Sequence, residues 1–203
     1  MNSSCSSILL FWLPVVHNSL LVAFSAWTFY HMSAILLREG IVFQQEYYFQ
    51  HADFASLVSW FYLSKYYEFG DTALLLMQGK TPRFLQVYHH VGAVVSWYLM
   101  YTYRVDMVWM PTLLNSFVHT LMYSYYLASL LRVPGLKRWK RSLTTLQLCQ
   151  FAALYSNFYF YYPPVETWFH YSIICFFAGY GVGIVALFSQ FYYESYVARH
   201  HCV

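Results

Sequence analysis

The chain has 203 residues, of which 60% are hydrophobic and 9% are charged, with a formal net charge of +3 and a mean hydropathy of +0.41. So few charged side chains cannot cover the surface of a soluble globule of this size, which excludes the soluble classes. We expect the lipid bilayer as a partner and no nucleic acid. The apolar residues form long blocks rather than alternating segments of about ten, which predicts an all-α integral membrane protein and not a barrel.

Six apolar blocks, taken in chain order, predict a bundle of about six transmembrane helices. They cover residues 8–37, 54–78, 85–104, 107–131, 142–162 and 167–195. The longest polar connections are residues 38–53 and 132–142, and the pair Pro163-Pro164 ends the fifth span, because proline interrupts a helix. We therefore expect residues 1–203 to form a single membrane domain.

Lysine and arginine predict the orientation, because cytoplasmic loops carry the excess of positive charge. With six spans, one side of the membrane has only Arg38 and Arg104. The other side has Lys80, Arg83, Arg132, Lys137, Arg138, Lys140, Arg141 and Arg199. This asymmetry predicts that both termini lie in the cytosol.

The second predicted span contains three charged side chains, Lys65, Glu68 and Asp71, within the segment KYYEFGDT. Ionisable groups inside a membrane are costly, and each is by default a functional candidate. Their spacing places them within about 120° of one another on one helix face, where the lysine can lie between the two carboxylates. The alternative interpretation is a charge cluster that only fixes helix packing.

Polar side chains also recur on single faces of the next three spans. The third begins with Gln86, His89 and His90, the fourth contains Asn115, His119, Met122 and Tyr126 with Tyr123 beside them, and the fifth contains Thr144, Gln147 and Gln150. A lone intramembrane histidine is usually a structural residue. Three histidines near a charged triplet indicate a functional site instead.

A metal site is the first alternative, because QVYHH looks like a histidine box that has lost its first histidine. Di-iron membrane enzymes need roughly eight clustered imidazole or carboxylate ligands. Here only His89 and His90 form a pair within a span, and adjacent side chains diverge by about 100° on a helix. The four cysteines show no C-x-x-C spacing. We therefore expect no metal.

Four ordered motifs resemble the ELO family of very-long-chain fatty acid elongases, the 3-ketoacyl-CoA synthases of the endoplasmic reticulum. KYYEFGDT fits K-x-x-E-x-x-D-T, QVYHH fits H/Q-x-x-H-H, NSFVHTLMYSYY fits N-x-x-x-H-x-x-M-Y-x-Y-Y, and TTLQLCQ fits T-x-x-Q-x-x-Q. The resemblance runs from HNSLL (17–21) to LFSQFYYESY (187–196). It implies a helix bundle that encloses a long acyl-chain cavity in the reticulum membrane.

The resemblance also implies a reaction, the condensation of a long-chain acyl-CoA with malonyl-CoA to 3-ketoacyl-CoA, CO2 and CoA. His89 would be the nucleophile that forms an acyl-histidine, and His119 would orient malonyl-CoA or promote its decarboxylation. His90 would donate a hydrogen bond nearby, and the triplet Lys65, Glu68 and Asp71 would set the local field. No cofactor is implied beyond the two substrates.

Further residues are implied to bind substrate around these groups. The hydrogen-bonding and lining set is Gln86, Asn115, Met122, Tyr123, Tyr126, Thr144, Gln147 and Gln150. Lys80, Arg83, Lys137 and Arg138 would hold the CoA phosphates, although topology alone also explains basic loops. The implied protein partners are the reductases and dehydratase of the elongation cycle, and a homodimer is an open alternative.

Two departures from the family pattern accompany the resemblance. The family's leading helix and its lysine-rich cytosolic tail are missing, so we expect a chain truncated at both ends. Gln86 in place of histidine resembles the polyunsaturated-fatty-acid branch. Two other functions stay open at this point: a proton-coupled transporter or receptor, with Gly179-Tyr180-Gly181-x-Gly183 as a helix interruption, and a catalytically dead scaffold.

Overall fold

A computed structural model describes residues 3–161 and 168–198, with residues 3–9, 157 and 159–161 described by their backbone alone. The described residues contain helices and no strand. The helices are α1 (Ser3–Glu39), α2 (Ala52–Tyr67), α3 (Phe69–Met77), α4 (Phe84–Thr102), α5 (Trp109–Leu130), α6 (Trp139–Tyr161) and α7 (Trp168–Tyr192). Each predicted span is helical within the described residues. The predicted turn at Pro163-Pro164, the residue Arg199 and both chain ends lie outside the description.

The second span differs from its prediction, because it consists of two helices that meet at Glu68. The amide of Asp71 donates to the carbonyl of Glu68 at 3.1 Å, a three-residue turn that tightens the helix at this point. Gly70 follows the break and lies against the ring of His17 in α1. A Cβ at residue 70 would lie 2.5 Å from Cε1 of that ring, so a larger residue does not fit.

The helices form a closed ring in the order α1, α2 with α3, α4, α7, α6, α5 and back to α1. The first three spans are thus one half of the ring, and the last three are the other half. The two halves meet where α1 packs on α5 and where α4 packs on α7. This closure brings polar faces from distant parts of the sequence to one interior.

The end of the ring that carries Arg38 and Arg104 is closed by the connection before α2. The carboxylate of Asp106 accepts hydrogen bonds from the amides of Tyr48 at 2.7 Å and Phe49 at 3.2 Å. Burial raises the pKa of this carboxyl to about 6. Both aromatic side chains belong to a buried core that continues along α2 and α4 through Phe61 and Trp97. The polar interior therefore opens toward the opposite end.

Two described helical stretches, Leu10–Glu39 and Trp168–Val197, are long and apolar enough by length and composition to cross a membrane. The second includes a π-helical turn at Tyr193–Val197, directly after α7. The second span is divided into helices of 16 and 9 residues, each too short to cross a membrane by itself.

Candidate active site

The main cavity has a volume of about 450 Å³ and touches all six spans of the ring. Most residues singled out in the sequence lie on its wall. Those that line it are Asp71, Arg83, Gln86, His89, His90, His119, Met122, Tyr123, Tyr126, Thr144 and Gln147. These residues make up about half of the cavity wall, and most of the others are apolar.

A second, smaller chamber of about 40 Å³ lies beyond the main cavity. Its polar lining comes from Lys65, Asn115 and Gln150, and the rest is mainly aromatic and aliphatic. His89 lines both spaces, and among the described residues it is the one that the two linings share. The imidazole of His89 therefore stands at the junction between a roomy polar cavity and a narrow apolar one.

Lys65 is almost fully buried and holds a compact polar cluster together. Its Nζ donates to Oε1 of Glu68 at 2.7 Å and to Oδ1 of Asn115 at 2.8 Å. Nδ1 of His119 lies 3.5 Å from the same Glu68 oxygen. The ammonium also lies 4.0 Å from the ring centre of Phe61. Pairing and hydrogen bonding offset the free-energy cost of burying a charge in a membrane protein.

Asp71 does not pair with Lys65, so the prediction of one lysine between two carboxylates is wrong. Its Oδ1 lies 2.9 Å from Nε2 of His17, and its Oδ2 accepts a hydrogen bond from the hydroxyl of Tyr123 at 2.8 Å. The break at Glu68 changes the direction that Asp71 takes relative to Lys65. The charged triplet consequently divides into two separate networks.

His17 is one residue of the site that sequence reasoning did not single out. It is 7% exposed, stacks on Tyr67 with 4.9 Å between ring centres and contacts Asp71 across the gap left by Gly70. In the sequence it stands alone in α1, so spacing offers no signal for it. Two signals were available: its intramembrane position, which by itself indicates a structural histidine, and its place in HNSLL, where the family resemblance begins.

Three histidines from two helices meet at the junction of the cavities. The ring centres of His89 and His119 are 6.2 Å apart, and those of His89 and His90 are 5.4 Å apart with the planes at 79°. Nε2 of His90 lies 4.0 Å from Oδ2 of Asp71. Neighbouring imidazoles on α4 therefore face different partners, as their helical divergence predicts.

Among the described residues, two buried polar atoms of this site, Oε2 of Glu68 and Nδ1 of His90, have no hydrogen-bond partner, and Nδ1 of His119 has only its 3.5 Å approach to Oε1 of Glu68. Buried polar atoms are nearly always paired, and exceptions cluster where a ligand or a reaction uses them. The unpaired carboxylate oxygen can accept a proton, and the two imidazole nitrogens can bind or transfer one. The arrangement suits nucleophilic attack with general acid and base groups close by.

The amide side chains have defined partners. Nε2 of Gln86 donates to Oγ1 of Thr72 at 3.2 Å, which joins α4 to α3. Nε2 of Gln147 lies 3.4 Å from Sδ of Met122, and the hydroxyl of Thr144 lies 3.2 Å from that of Tyr196. Gln86 thus acts as a hydrogen-bonding link.

The basic residues separate into two groups. Arg83 and Lys140 line the main cavity, and the Arg83 guanidinium lies 5.0 Å from the ring centre of Phe191. Lys80, Lys137 and Arg138 are exposed and lie outside the lining. Lys140 was counted in the sequence only for orientation. The expectation that no metal is needed stays a prediction, although no group of three or more suitable ligands occurs among the described side chains.

The fold and the site define an all-α membrane protein whose helix ring encloses histidines, carboxylates and a buried lysine. The chain belongs to the ELO family, described as the GNS1/SUR4 family, and the match covers residues 1–201. This confirms the resemblance seen in the motifs, and with it the prediction of a multi-pass membrane protein.

Curated relatives of the chain carry elongase names. Fatty acid elongase sre1 of Dictyostelium discoideum is 43% identical over 93 residues, which is 45% of this chain and 34% of that protein. Very long chain fatty acid elongase 4 of Homo sapiens is 31% identical over 156 residues, 70% of this chain and 46% of that protein. Very long chain fatty acid elongase 5 of Tachysurus fulvidraco is 29% identical, covering 95% of this chain and 66% of that protein. The chain thus spans about half the length of such relatives.

Proposed function

We propose that the chain is the condensing enzyme of fatty acid elongation, which joins a long-chain acyl-CoA to malonyl-CoA and releases 3-ketoacyl-CoA, CO2 and CoA. The names of its relatives support the reaction class. The observation that carries the proposal is His89 at the junction of the two cavities. A thioester carbonyl at His89 would leave the CoA portion in the main cavity and direct the acyl tail toward the apolar chamber.

The first proposed step is acyl transfer to His89. A neutral imidazole nitrogen attacks the thioester carbonyl, a C–N bond forms and the C–S bond breaks. CoA leaves as a thiolate, and it takes up the proton that the acylated imidazole loses. Lys65 supplies positive charge near the carbonyl oxygen as negative charge develops there. Its own position is fixed by Glu68 and Asn115.

The second proposed step is attack by malonyl-CoA. Loss of CO2 leaves its electron pair on the adjacent carbon as an enolate. This carbon attacks the acyl-imidazole, a C–C bond forms, and the C–N bond to His89 breaks. The leaving imidazolate takes up one proton from water, the proton that the overall condensation consumes, and neutral imidazole is regenerated. His119 faces His89 and lies near Glu68, so it is the group placed to hold malonyl-CoA and stabilise the enolate oxygen by donating a hydrogen bond.

The CoA phosphates would bind at the cavity mouth. Arg83 and Lys140 are the basic side chains on its wall, and a guanidinium suits a phosphate because it donates two parallel hydrogen bonds. Lys80, Lys137 and Arg138 stay in this proposal as outer basic residues that attract the polyanion. We further propose the endoplasmic reticulum membrane as the location, and the cycle's reductases and dehydratase as partners.

The test is to incubate the purified protein with oleoyl-CoA or arachidonoyl-CoA and labelled malonyl-CoA. We expect labelled 3-ketoacyl-CoA, with one CO2 released for each molecule formed. His89→Ala and His119→Ala should each abolish product while the protein keeps its elution volume and melting temperature. Higher turnover of arachidonoyl-CoA would support the polyunsaturated branch. Folded wild-type protein that forms no 3-ketoacyl-CoA from either substrate would contradict the enzyme and favour a transporter, a receptor or a scaffold.

A further inference from the structure

The segment Gly179-Tyr180-Gly181-x-Gly183 in α7 packs closely against the part of α4 that carries His89. The hydroxyl of Tyr180 donates to the backbone carbonyl of His89 at 2.9 Å. The Tyr180 ring lies in the gap left by Gly92 in α4, where an added Cβ would lie 2.0 Å from Cε2 of the ring. One side chain of α7 is thereby fixed to the helical turn that carries the proposed nucleophile.

Two other tyrosines hold the same segment from the neighbouring helices. The Tyr88 hydroxyl lies over Gly183, where a Cβ would be 2.3 Å away, and its ring centre is 5.5 Å from that of Tyr180. The Tyr155 hydroxyl donates to the carbonyl of Ala178 at 2.9 Å and lies over Gly181. Gly183 and Gly181 let aromatic rings of α4 and α6, respectively, approach the α7 backbone closely. They do not interrupt the helix, which continues to Tyr192.

We propose that Tyr180 is a positioning residue for His89, an inference that rests on the proposed condensing function. Its hydroxyl fixes the His89 carbonyl, and its ring fixes the turn from His89 to Gly92 against α7. The imidazole consequently stays at the junction of the two cavities, 6.2 Å from the ring of His119. Tyr180 also lines the apolar chamber, so its ring closes the seam between α4 and α7 beside the acyl tail.

The expected effect is on acyl transfer to His89. Displacement of a reacting group by about 1 Å can cost roughly a hundredfold in rate. In Tyr180→Phe the ring keeps its place over Gly92 and only the hydrogen bond is lost. We expect this variant to acylate His89 at least about fivefold more slowly, with the KM for malonyl-CoA within about twofold of its original value. Gly92→Ala displaces the ring and should be slower still.

Tyr48→Phe is the matched control, because it removes a hydrogen bond from a buried tyrosine hydroxyl to a backbone carbonyl, that of Gly40, and Tyr48 lines neither cavity. The experiment follows adduct formation on His89 by intact mass with oleoyl-CoA alone, and product formation with both substrates, at equal amounts of folded protein. Slow acylation in Tyr180→Phe alone, at unchanged melting temperature, supports the proposal. A purely structural role would instead lower the melting temperature of both phenylalanine variants and leave their acylation rates equal.

Near-normal acylation by Tyr180→Phe, or an equal loss in Tyr48→Phe, would overturn the inference. If Gly92→Ala fails to fold, the two phenylalanine variants still decide the question. A folded wild type with neither adduct nor product would refute the proposed function itself, whereas an active wild type with an unaffected Tyr180→Phe refutes only the role of Tyr180.

Discussion

Asp71 and His17 are the residues whose pairing changes the account of the charged site most. Because Asp71 contacts His17 and Tyr123 and not Lys65, the two networks should respond independently to substitution. Removal of one partner leaves the other buried and unpaired, which costs about 1–3 kcal/mol. The carboxylate also lies near His90, so its loss reaches the proposed catalytic histidines.

We therefore predict that Asp71→Asn and His17→Ala each lower condensation markedly, and that the double variant is little worse than Asp71→Asn alone. Groups in direct contact show such non-additivity, with coupling of about 0.5–3 kcal/mol. The measurement is turnover for a double-mutant cycle, with Glu194→Gln as the control carboxylate on the exposed end of the chain. If the effects of the two substitutions on turnover are strictly additive, the contact between Asp71 and His17 does not contribute to activity.

Gln86 is a second residue with a specific prediction. Its amide donates to Thr72, and a histidine in its place retains a donor, whereas leucine does not. Gln86→His should keep condensation within about tenfold, roughly 1.4 kcal/mol of barrier, and Gln86→Leu should lose more. The measurement is steady-state turnover, and Thr72→Val is the matched variant, because it removes the hydroxyl that accepts the hydrogen bond from Gln86. Equal turnover in Gln86→Leu and the wild type would show that activity does not need the hydrogen bond from Gln86 to Thr72.

At the scale of the element, the contact between α1 and α3 depends on Gly70. A methyl group at this position would lie 2.5 Å from Cε1 and 3.0 Å from Nδ1 of His17. Gly70→Ala must displace the ring from Asp71, so overpacking should destabilise the protein by about 1–3 kcal/mol and lower activity. Gly179→Ala is the control, because nothing lies within 4 Å of an added Cβ there.

Melting temperature and turnover of these two glycine variants should therefore differ clearly. We expect a lower melting temperature and reduced turnover for Gly70→Ala and values close to the wild type for Gly179→Ala. A Gly70→Ala protein that is as stable and as active as Gly179→Ala would mean that His17 does not need the space at residue 70.

Helix positions could be predicted from the sequence, because each span is a continuous apolar block whose signal is local. The polar faces of α4, α5 and α6 could be predicted for the same reason, since helical spacing alone places His89, His119 and Gln147 on one side of their helices. The residues that these side chains contact on other helices could not be predicted. Asp71 and His17 are 54 residues apart, and no periodicity indicates which helix stands opposite.

The break at Glu68 was also outside the reach of sequence patterns. KYYEFGDT contains no proline, and a single glycine in a helix is common. The contact next to the break is tertiary, because the ring of His17 in α1 packs where Gly70 has no side chain. The break at Glu68 separates Asp71 from Lys65, although the spacing of a continuous helix places these two residues on one face.

For the whole molecule, the closed ring explains how a chain this apolar holds so many polar groups. All six spans contribute to one cavity of about 450 Å³, a size typical of ligand-binding sites. The chamber beyond His89, at about 40 Å³, holds scarcely more than one water molecule. In the proposed reaction, a long acyl tail would have to displace the aromatic walls of this chamber.

The whole molecule also carries the prediction about metals. Glutamine is a poor ligand for a catalytic metal, and the proposed reaction uses imidazole as a nucleophile. We expect purified protein to contain no stoichiometric iron or zinc by elemental analysis and to keep full turnover after incubation with chelators. Bound metal together with chelator-sensitive turnover would replace acyl-histidine chemistry with a metal mechanism.

The most direct test of the central claim is intact mass spectrometry of the protein after incubation with acyl-CoA in the absence of malonyl-CoA. His89 at the junction of the two cavities predicts one added acyl group per chain, located on His89 by fragmentation, absent in His89→Ala and lost as 3-ketoacyl-CoA when malonyl-CoA is added. Preparations that turn over with both substrates but never carry an acyl group on His89 would contradict the account.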